Sequence, residues 1–426
     1  MDTEASTSTP PVPERWAARF FIIWTGQAFS LMGSALVQFA LVWWLTAKTG
    51  AATILATSTL VALLPQILLG PFAGALVDRW NRRLIMIVAD SGIAAATGVL
   101  IVLFATGVVQ VWHIYIILLL RSLGGAFHSP AMSASTSLMV PNKHLARVGG
   151  MNQTLQGLMS VFAPPLGALL ISILPTQGVL AIDILTAALA VGPLLFIQIP
   201  VPPRQAAQAK DPSSIRTSYW HDLREGLAYV GKWPGLLGIL LLAMMLNFLL
   251  TPSGSLLPLL VKNEFNGGPT QLALTETVFG VGTILSGLIL SAWGGFKRRI
   301  VTSLLGVLGI GLGIMIAGIA PANLFWLLLV GNFVTGISQV FANGPLNAIF
   351  QSAVAPDMQG RVFSLIGAGA TAMMPLSLLI AGPVTDALGL RVWYVVGGGL
   401  CILVTLAGFF IRPIMNIEQN KADIRE

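Results

Sequence analysis

Three acidic side chains and one arginine lie well inside long apolar stretches of this sequence: Asp90, Asp183, Glu276 and Arg121. If those stretches cross a bilayer, each charge is costly and needs a partner or a wet cavity, which makes the residue a candidate for moving protons or ions. A carboxylate can carry a proton when its pKa rises on burial and falls when its site opens to water. Proton movement is therefore the first chemistry that these residues suggest.

The three acids differ in depth. Asp90 lies about seven residues, or roughly 10 Å, into its stretch from the inner face, whereas Asp183 and Glu276 lie one to two turns from the outer face. We rank Glu276 and Asp90 ahead of Asp183 as proton-coupling residues, and a structural hydrogen-bonding role is the alternative for each acid. For Arg121 we favour a role in coupling over a structural ion pair.

Polar side chains recur every three or four residues in four of the apolar stretches, as they do on one wet face of a helix. The sets are Gln27, Ser30, Ser34 and Gln38; Asn152, Gln156 and Ser160; Asn247 and Thr251; and Asn332, Thr335, Gln339 and Asn343. Hydrogen bonding between helices is the alternative explanation. With an aromatic residue such as Trp24, this lining suits a large, weakly polar ligand.

Membrane-spanning helices must position these residues. Of the 426 residues 55% are hydrophobic and 9% are charged, and the mean hydropathy is +0.83. So few polar side chains could not cover the surface of a soluble globule. A span needs about 20 apolar residues, and twelve such runs occur: Ala17 to Thr46, Ala52 to Val77, Leu84 to Thr106, Trp112 to Leu138, Ala146 to Leu174, Gly178 to Ile199, Gly235 to Val261, Leu272 to Trp293, Ile300 to Ala320, Leu324 to Asn347, Val362 to Leu388 and Val392 to Ile411.

The basic residues predict the orientation, because Lys and Arg accumulate on the cytoplasmic side. With the N-terminus inside, the outside holds only Lys48, Lys262 and Arg391. We therefore predict a multi-pass protein of the plasma (inner) membrane with both termini cytoplasmic and no cleavable signal peptide. The predicted organisation is a tail over 1–14, a six-helix half over 15–199, a linker over 200–234 with a short interfacial helix within Tyr219 to Val230, a second half over 235–412 and a tail over 413–426.

The two halves carry traces of a duplication. At an offset of about 215 residues, prolines and a glycine of the first half align with prolines and a glycine of the second. The matched pairs are Pro130 and Pro345, Pro141 and Pro356, and Gly167 and Gly382; at an offset one residue longer, Arg82 and Arg83 fall on Arg298 and Arg299. Repeated halves with a site near the bilayer midplane are typical of a secondary transporter.

A loop motif now gives a family resemblance. Residues 74–83 read Gly-Ala-Leu-Val-Asp-Arg-Trp-Asn-Arg-Arg and match the signature G-x-x-x-D-R-x-x-R-R of the major facilitator superfamily, which the chain resembles over nearly its whole length. The resemblance implies a cytoplasmic latch that holds the outward-open state, made by Gly74, Asp78, Arg79, Arg82 and Arg83. We expect Gly74 to allow close helix packing there. The counterpart in the second half, residues 294–299, lacks the aspartate, so latching is expected to be asymmetric.

Two further motifs narrow the resemblance. Residues 118–125, with Arg121 at their centre, are similar to a pattern of drug exporters, although Gly124 replaces its Gln. Residues 163–168 resemble a degraded antiporter motif associated with export, in which Pro164 and Gly167 match; a proline-kinked packing face is the alternative. These patterns are similar to those of the drug:proton antiporter group, which includes macrolide-efflux proteins, siderophore exporters and a lysophospholipid flippase.

The resemblance implies an all-α membrane protein with twelve transmembrane helices in two pseudo-symmetric six-helix halves, the major facilitator fold. We predict proton-coupled export of amphiphilic drug-like compounds; export or flipping of an endogenous amphiphile and uptake of a metabolite are the alternatives. The expected partners are the lipid bilayer, the substrate and protons, with a monomeric protein, no nucleic acid and no enzyme activity. One cysteine and four scattered histidines predict no metal, and no motif predicts a cofactor. The substrate-binding candidates are Trp24, Gln27, Ser34, Gln38, Gln156, Asn247, Thr251, Asn332, Gln339 and Asn343.

Overall fold

The computed structural model describes residues 16–200, 224–355 and 358–419, and all of the regular structure in these ranges is helical. The side chains of Pro71, Ala75 and Asp78 also lie outside the described part. Within it, twelve helices are long and apolar enough to cross a membrane. The predicted number of spans is therefore confirmed.

The helices follow the apolar runs closely. Their bounds are α1 Trp16–Thr49, α2 Ala52–Arg79, α3 Arg82–Ala105, α4 Val111–Met139, α5 Asn142–Ile173, α6 Thr176–Phe196, α7 residues 224–232, α8 Pro234–Ser255, α9 Leu257–Phe265, α10 Pro269–Trp293, α11 Arg299–Ile319, α12 Phe325–Ala353, α13 Gln359–Leu388, α14 Val392–Phe410 and α15 Arg412–Met415. Some helices extend beyond the predicted spans because polar residues continue the helix outside the apolar run, as in α5, which begins at Asn142, four residues before the predicted start at Ala146.

The seventh predicted span, Gly235 to Val261, is wrong as a single helix. The structure ends α8 at Ser255 and begins the short α9 at Leu257, with Leu256 between them at φ −95° and ψ 1°. Pro258 lies in the first turn of α9 and has no N–H to donate to the carbonyl four residues earlier, and this missing hydrogen bond favours a break in the helix here. Hydropathy does not detect this break, because the residues on both sides are apolar.

The chain divides into two compact units. Unit 1 comprises Met1–Ser34, Leu68–Gln156 and Thr176–Ala209. In it, α3 packs against both α4 and α6, and Phe20, Met86 and Leu194 are among the buried residues of its apolar core. This contact between three helices positions the polar residues described below.

Unit 2 comprises Ala35–Ile67, Gly157–Pro175 and Lys210–Glu426. Glycines bring its helices into close contact: a Cβ added at Gly306 would overlap the backbone of α12 near Ala342, and one added at Gly331 would lie 2.6 Å from the carbonyl oxygen of Gly313. These contacts pack α11 against α12 and leave no space for larger residues. The division follows contacts and cuts through α1, α2 and α5, so the predicted domain limits remain a prediction.

Two segments outside the spans, residues 224–232 of the linker and the residues after α14, contribute to the apolar core of unit 2. Part of the predicted interfacial helix, residues 219–223, lies outside the described residues, whereas 224–232 are helical, with Val230 buried and Leu227 exposed. After α14, Ile414 and Ile417 are buried in the same apolar core as Val230. The carboxylate of Glu418 accepts a hydrogen bond at 2.8 Å from the backbone N–H of Ile300, close to the start of α11.

Candidate functional site

Seven polar residues of unit 1 form two layers between α1, α3, α4 and α6. We call the first layer the Asp183 tier, which contains Ser34, Thr97, Arg121 and Asp183. The second is the Asp90 tier, which contains Gln27, Asp90 and His128. Each tier has one buried carboxylate at its centre, and each draws its side chains from at least three helices.

The Asp183 tier is a closed ion pair. Asp183 is 1% exposed, and its Oδ2 accepts a hydrogen bond from Arg121 Nη1 at 2.5 Å. Thr97 lies 3.0 Å from the same oxygen and also accepts from Arg121 at 2.8 Å, while Ser34 donates to the other oxygen at 3.2 Å. This arrangement neutralises and solvates both charges away from water, as a buried pair requires.

The Asp90 tier is less complete. Gln27 donates to Asp90 Oδ2 at 3.0 Å, and His128 Nε2 lies 3.4 Å from the other oxygen, Oδ1. That separation is longer than a formed hydrogen bond. His128 Nε2 is fully buried and has no hydrogen-bond partner among the described residues. A buried polar atom of this kind is costly unless a proton or a movement supplies the missing bond.

The two tiers share one register. Gln27 and Ser34 are seven residues apart on α1, as are Asp90 and Thr97 on α3, and Arg121 and His128 on α4. Seven residues are about two helical turns, or roughly 10 Å, so the same faces of the same helices supply both tiers.

Small residues allow the helices to approach at these levels. On α4, Gly124 lies between the tiers, and a Cβ there would be 2.8 Å from Ile93 Cδ1 of α3. On α1, a Cβ at Gly26 would be 2.6 Å from the carbonyl oxygen of Leu189 in α6, and one at Gly33 would overlap the side chain of Thr186. Ile93 therefore fills the space between the tiers and separates them with apolar packing.

The remaining substrate-binding candidates are not assembled into one network. In unit 1, Trp24 Nε1 donates to Asn152 at 2.7 Å, and Gln156 is exposed. In unit 2, three amides bond back to carbonyls of their own helices: Asn247 to Ala243, Asn332 to Leu328 and Asn343 to Gln339, all at 2.9 to 3.0 Å. Thr251 likewise donates to Asn247, and Gln38 and Gln339 are exposed.

Glu276 differs from the other two intramembrane acids. It is partly buried in α10 and has neither an ion pair nor a hydrogen bond within the part of the chain that the structure describes. The next residue, Thr277, donates at 3.3 Å to the carbonyl oxygen of Val161 in α5. The described residues contain no group of three or more His, Cys, Asp or Glu that could hold a metal ion.

Comparison with known proteins decides the family. Residues 9–425 match the model of the transmembrane secretion effector family. Macrolide efflux protein A of Streptococcus pyogenes is 35% identical over 96% of this chain and 98% of its own length. The chain is a transmembrane secretion effector of the major facilitator superfamily. A multidrug efflux pump, Tap of Mycolicibacterium fortuitum, is 25% identical over 91% of this chain and 94% of its own length.

Solved structures agree on the fold. A POT family transporter in complex with 5-aminolevulinic acid superposes with a TM-score of 0.69 at 14% identity, covering 93% of this chain and 96% of that one. Such low identity establishes the fold alone. The secretion effector is thus a multi-pass membrane protein with the major facilitator fold, as the loop motif predicts.

The loop motif of this secretion effector is anchored within unit 1. Arg83 donates through Nε to the carbonyl of Leu194 and through Nη2, at 2.6 Å, to that of Leu195, both in the last turn of α6. Arg82 donates at 3.2 Å to Ala134 of α4. Arg79 is exposed at the end of α2, and the side chain of Asp78 lies outside the described residues. Arg83 thus complements the C-terminus of α6, where the last carbonyls have no partner within the helix.

Two predicted gating glycines have different surroundings. A Cβ at Gly74 would meet no described atom within 4 Å, so the expectation of close packing there is wrong for this structure. A Cβ at Gly167 would lie 2.8 Å from the ring of Phe39, and Pro164 is buried in the same helix. The contact of Gly167 with Phe39 fits the alternative stated for residues 163–168, a proline-kinked face that packs against another helix.

Sequence reasoning missed His128 and Thr97. A lone histidine or threonine in an apolar run carries no distinctive signal, and His128 enters the sequence argument only as one of four histidines too scattered to bind a metal. The seven-residue spacing shared by Gln27 and Ser34, Asp90 and Thr97, and Arg121 and His128 is visible in the sequence. It has meaning only once the three helices are known to be neighbours.

Proposed function

We propose that this protein exports amphiphilic drug-like compounds, macrolides among them, in exchange for protons. The observation that carries the substrate class is the 35% identity to macrolide efflux protein A across almost the full length of both chains. The similarity to a multidrug pump supports a range of substrates beyond macrolides. The protein acts as a monomer with both termini cytoplasmic, and it catalyses transport without an enzymatic reaction.

Proton coupling is supported by the environments of the intramembrane acids. Asp183 is already neutralised by Arg121 at 2.5 Å and is the least suited to exchange a proton during transport. Asp90 and Glu276 have no such arginine and are the coupling acids that we propose. Arg121 then has a supporting role, since it holds Asp183 and orders the helices around the Asp90 tier.

Substrate contact is supported by exposed polar side chains inside the spans. Amides facing lipid are costly, so exposed amides on apolar helices favour a wet surface. Among the proposed substrate-binding residues, the exposed ones are Gln156 in unit 1 and Gln38, Gln339 and Asn343 in unit 2. The other proposed substrate-binding residues are partly or fully buried: Trp24, Gln27, Ser34, Asn247, Thr251 and Asn332. Amides that bond to their own helix can turn outward to a ligand at low cost.

The test is transport in liposomes. Purified protein would be reconstituted with erythromycin, and separately with tetraphenylphosphonium, inside the vesicles. An inward proton gradient would then be imposed with and without an uncoupler. We expect efflux that depends on the gradient, and a loss of roughly tenfold or more in Asp90→Asn or Glu276→Gln. Glu264→Gln is the matched control, because this partly exposed acid pairs with Arg391 within unit 2 and belongs to neither tier.

Absence of efflux for both compounds would contradict the drug-export proposal and point to a lipid or siderophore. Efflux at the same rate with and without the proton gradient would support the proposed export but contradict proton coupling.

The same assay tests the proposed latch: Asp78→Asn is expected to slow efflux while the protein remains folded in the membrane.

A further inference from the structure

We propose that His128 and Asp90 form one shared proton-binding site, in which His128 is the residue that makes Asp90 responsive to the proton gradient. This inference rests on the proposed proton-coupled export and deepens it. The observation behind it is the open contact between His128 Nε2 and Asp90 Oδ1, which are 3.4 Å apart in a buried location.

The geometry leaves room for a proton at this contact. An imidazole nitrogen without hydrogen and a carboxylate oxygen are both acceptors, so they bond to each other only when a proton lies on one of them. At 3.4 Å the two atoms are too far apart for a good hydrogen bond, yet a shift of about half an ångström would form one. Proton uptake would close the contact, and release would open it.

Gln27 holds the carboxylate in place for this exchange. It donates to Asp90 Oδ2 at 3.0 Å and leaves Oδ1 for His128. The amide cannot titrate, so it orients Asp90 without supplying or removing charge. Gln27 lies on α1, Asp90 on α3 and His128 on α4, and the protonation state of the pair therefore acts on the packing of three helices.

No other ionisable residue competes for this position among the described residues of unit 1. Arg121 and Asp183, the charged residues nearest along the helices, neutralise each other about two turns away behind Ile93 and Gly124. The remaining ionisable residues described in this part lie within about two turns of a helix end: Arg19, Arg79, Arg82, Arg83, His113, Tyr115, Lys143, His144 and Arg147.

Two transport measurements, gradient-driven efflux and substrate exchange, distinguish a proton-binding role of His128 from a purely structural one. A proton gradient drives net efflux, whereas exchange of labelled for unlabelled erythromycin at equal pH needs substrate binding and alternating access but no net proton movement. We expect His128→Gln to lower gradient-driven efflux by roughly tenfold or more and to leave exchange within about twofold of wild type. The pH dependence of efflux should also become flatter than in wild type.

His113→Gln is the matched control. His113 lies on the same helix, about 22 Å along its axis from His128, and accepts the backbone N–H of Gln110 at 2.9 Å as part of the helix cap. A glutamine can take over that cap, so this variant should keep gradient-driven efflux. The double variant Asp90→Asn with His128→Gln should be no slower than Asp90→Asn alone, because the two residues act as one site.

A direct measurement complements the transport assay. Erythromycin added to weakly buffered protein in detergent should change the proton occupancy of wild type, recorded with a pH indicator, and the change should be lost in His128→Gln. A variant that fails to reconstitute is replaced by His128→Asn, which preserves a polar side chain of similar bulk.

Suppose that wild-type efflux depends on the proton gradient, whereas His128→Gln has the same efflux rate and the same pH profile as wild type. This result would overturn the inference about His128 and leave the proposed proton coupling in place. Loss of exchange together with efflux in a folded variant would also overturn it, because the role would then be structural. A wild-type protein that ignores the gradient would reject the proposed proton coupling, and the shared proton site with it.

Discussion

At the scale of single residues, the ion pair of Arg121 and Asp183 makes each charge dependent on the other. Both side chains are at most 10% exposed, and two hydroxyl groups complete the hydrogen bonds around them. Removal of one partner leaves an uncompensated charge in an apolar environment, which costs far more than the pair itself contributes. The pair is therefore expected to matter for stability whether or not it moves during transport.

We predict that Asp183→Ala destabilises the protein by about 3 to 5 kcal/mol, because Arg121 is left buried and unpaired. The double variant Asp183→Ala with Arg121→Met should recover part of this loss, since it removes both charges. Thermal unfolding of the purified proteins in detergent measures the difference. Equal melting temperatures for wild type and Asp183→Ala would show that the charge is solvated in another way.

At the scale of helices, glycines decide how closely α1 can approach α6. A Cβ at Gly26 would be 2.6 Å from a backbone oxygen of α6, which cannot move aside as a flexible side chain can. The same approach brings Ser34 of α1 within hydrogen-bonding distance of Asp183 on α6. Helix spacing and the polar tiers are thus consequences of the same packing.

We predict that Gly26→Ala destabilises the protein by about 1 to 3 kcal/mol through overpacking. Gly92→Ala is the matched control, since a Cβ at Gly92 in α3 meets no described atom within 4 Å and alanine favours a helix by about 1 kcal/mol. The two variants should therefore differ in sign when their thermal unfolding is compared. A Gly26→Ala protein as stable as wild type would argue against close packing of α1 on α6.

At the scale of the whole molecule, unit 2 joins the C-terminal part of α1 and the first part of α2 to α8, α9 and α13. Lys262 donates to the carbonyls of Thr46 and Ala47 at 2.8 and 2.9 Å. Thr59 and Ser255 hydroxyls are 2.7 Å apart. In addition, Thr53 donates to Asp386 at 2.6 Å. A transporter that works by alternating access has to break such contacts between its N-terminal and C-terminal helices in each cycle.

We predict that the paired substitution Thr59→Cys with Ser255→Cys allows a disulfide between α2 and α8, because the two hydroxyls already touch. Oxidation should then stop erythromycin efflux, and a reducing agent should restore it. Each single cysteine variant is the control, and the native Cys401 is buried and should not interfere. Full efflux by the cross-linked protein would show that this contact persists throughout the cycle.

The sequence by itself determined the twelve spans and the family, because hydropathy and the motif of residues 74–83 are local properties. It also identified three intramembrane acids and one arginine, Asp90, Asp183, Glu276 and Arg121, since a charge in an apolar run is conspicuous regardless of its neighbours. The break at Leu256 was missed because apolar residues on both sides conceal it.

The tertiary structure decided which of these residues meet. Asp183 is 62 residues from Arg121 along the chain, and only the packing of α4 and α6 against α3 joins them. The same packing gave His128 a role that its sequence context does not reveal, and it left Glu276 without a partner among the described residues. Partner choice depends on helix rotation and depth, and these are fixed by side-chain packing between helices that are distant in sequence.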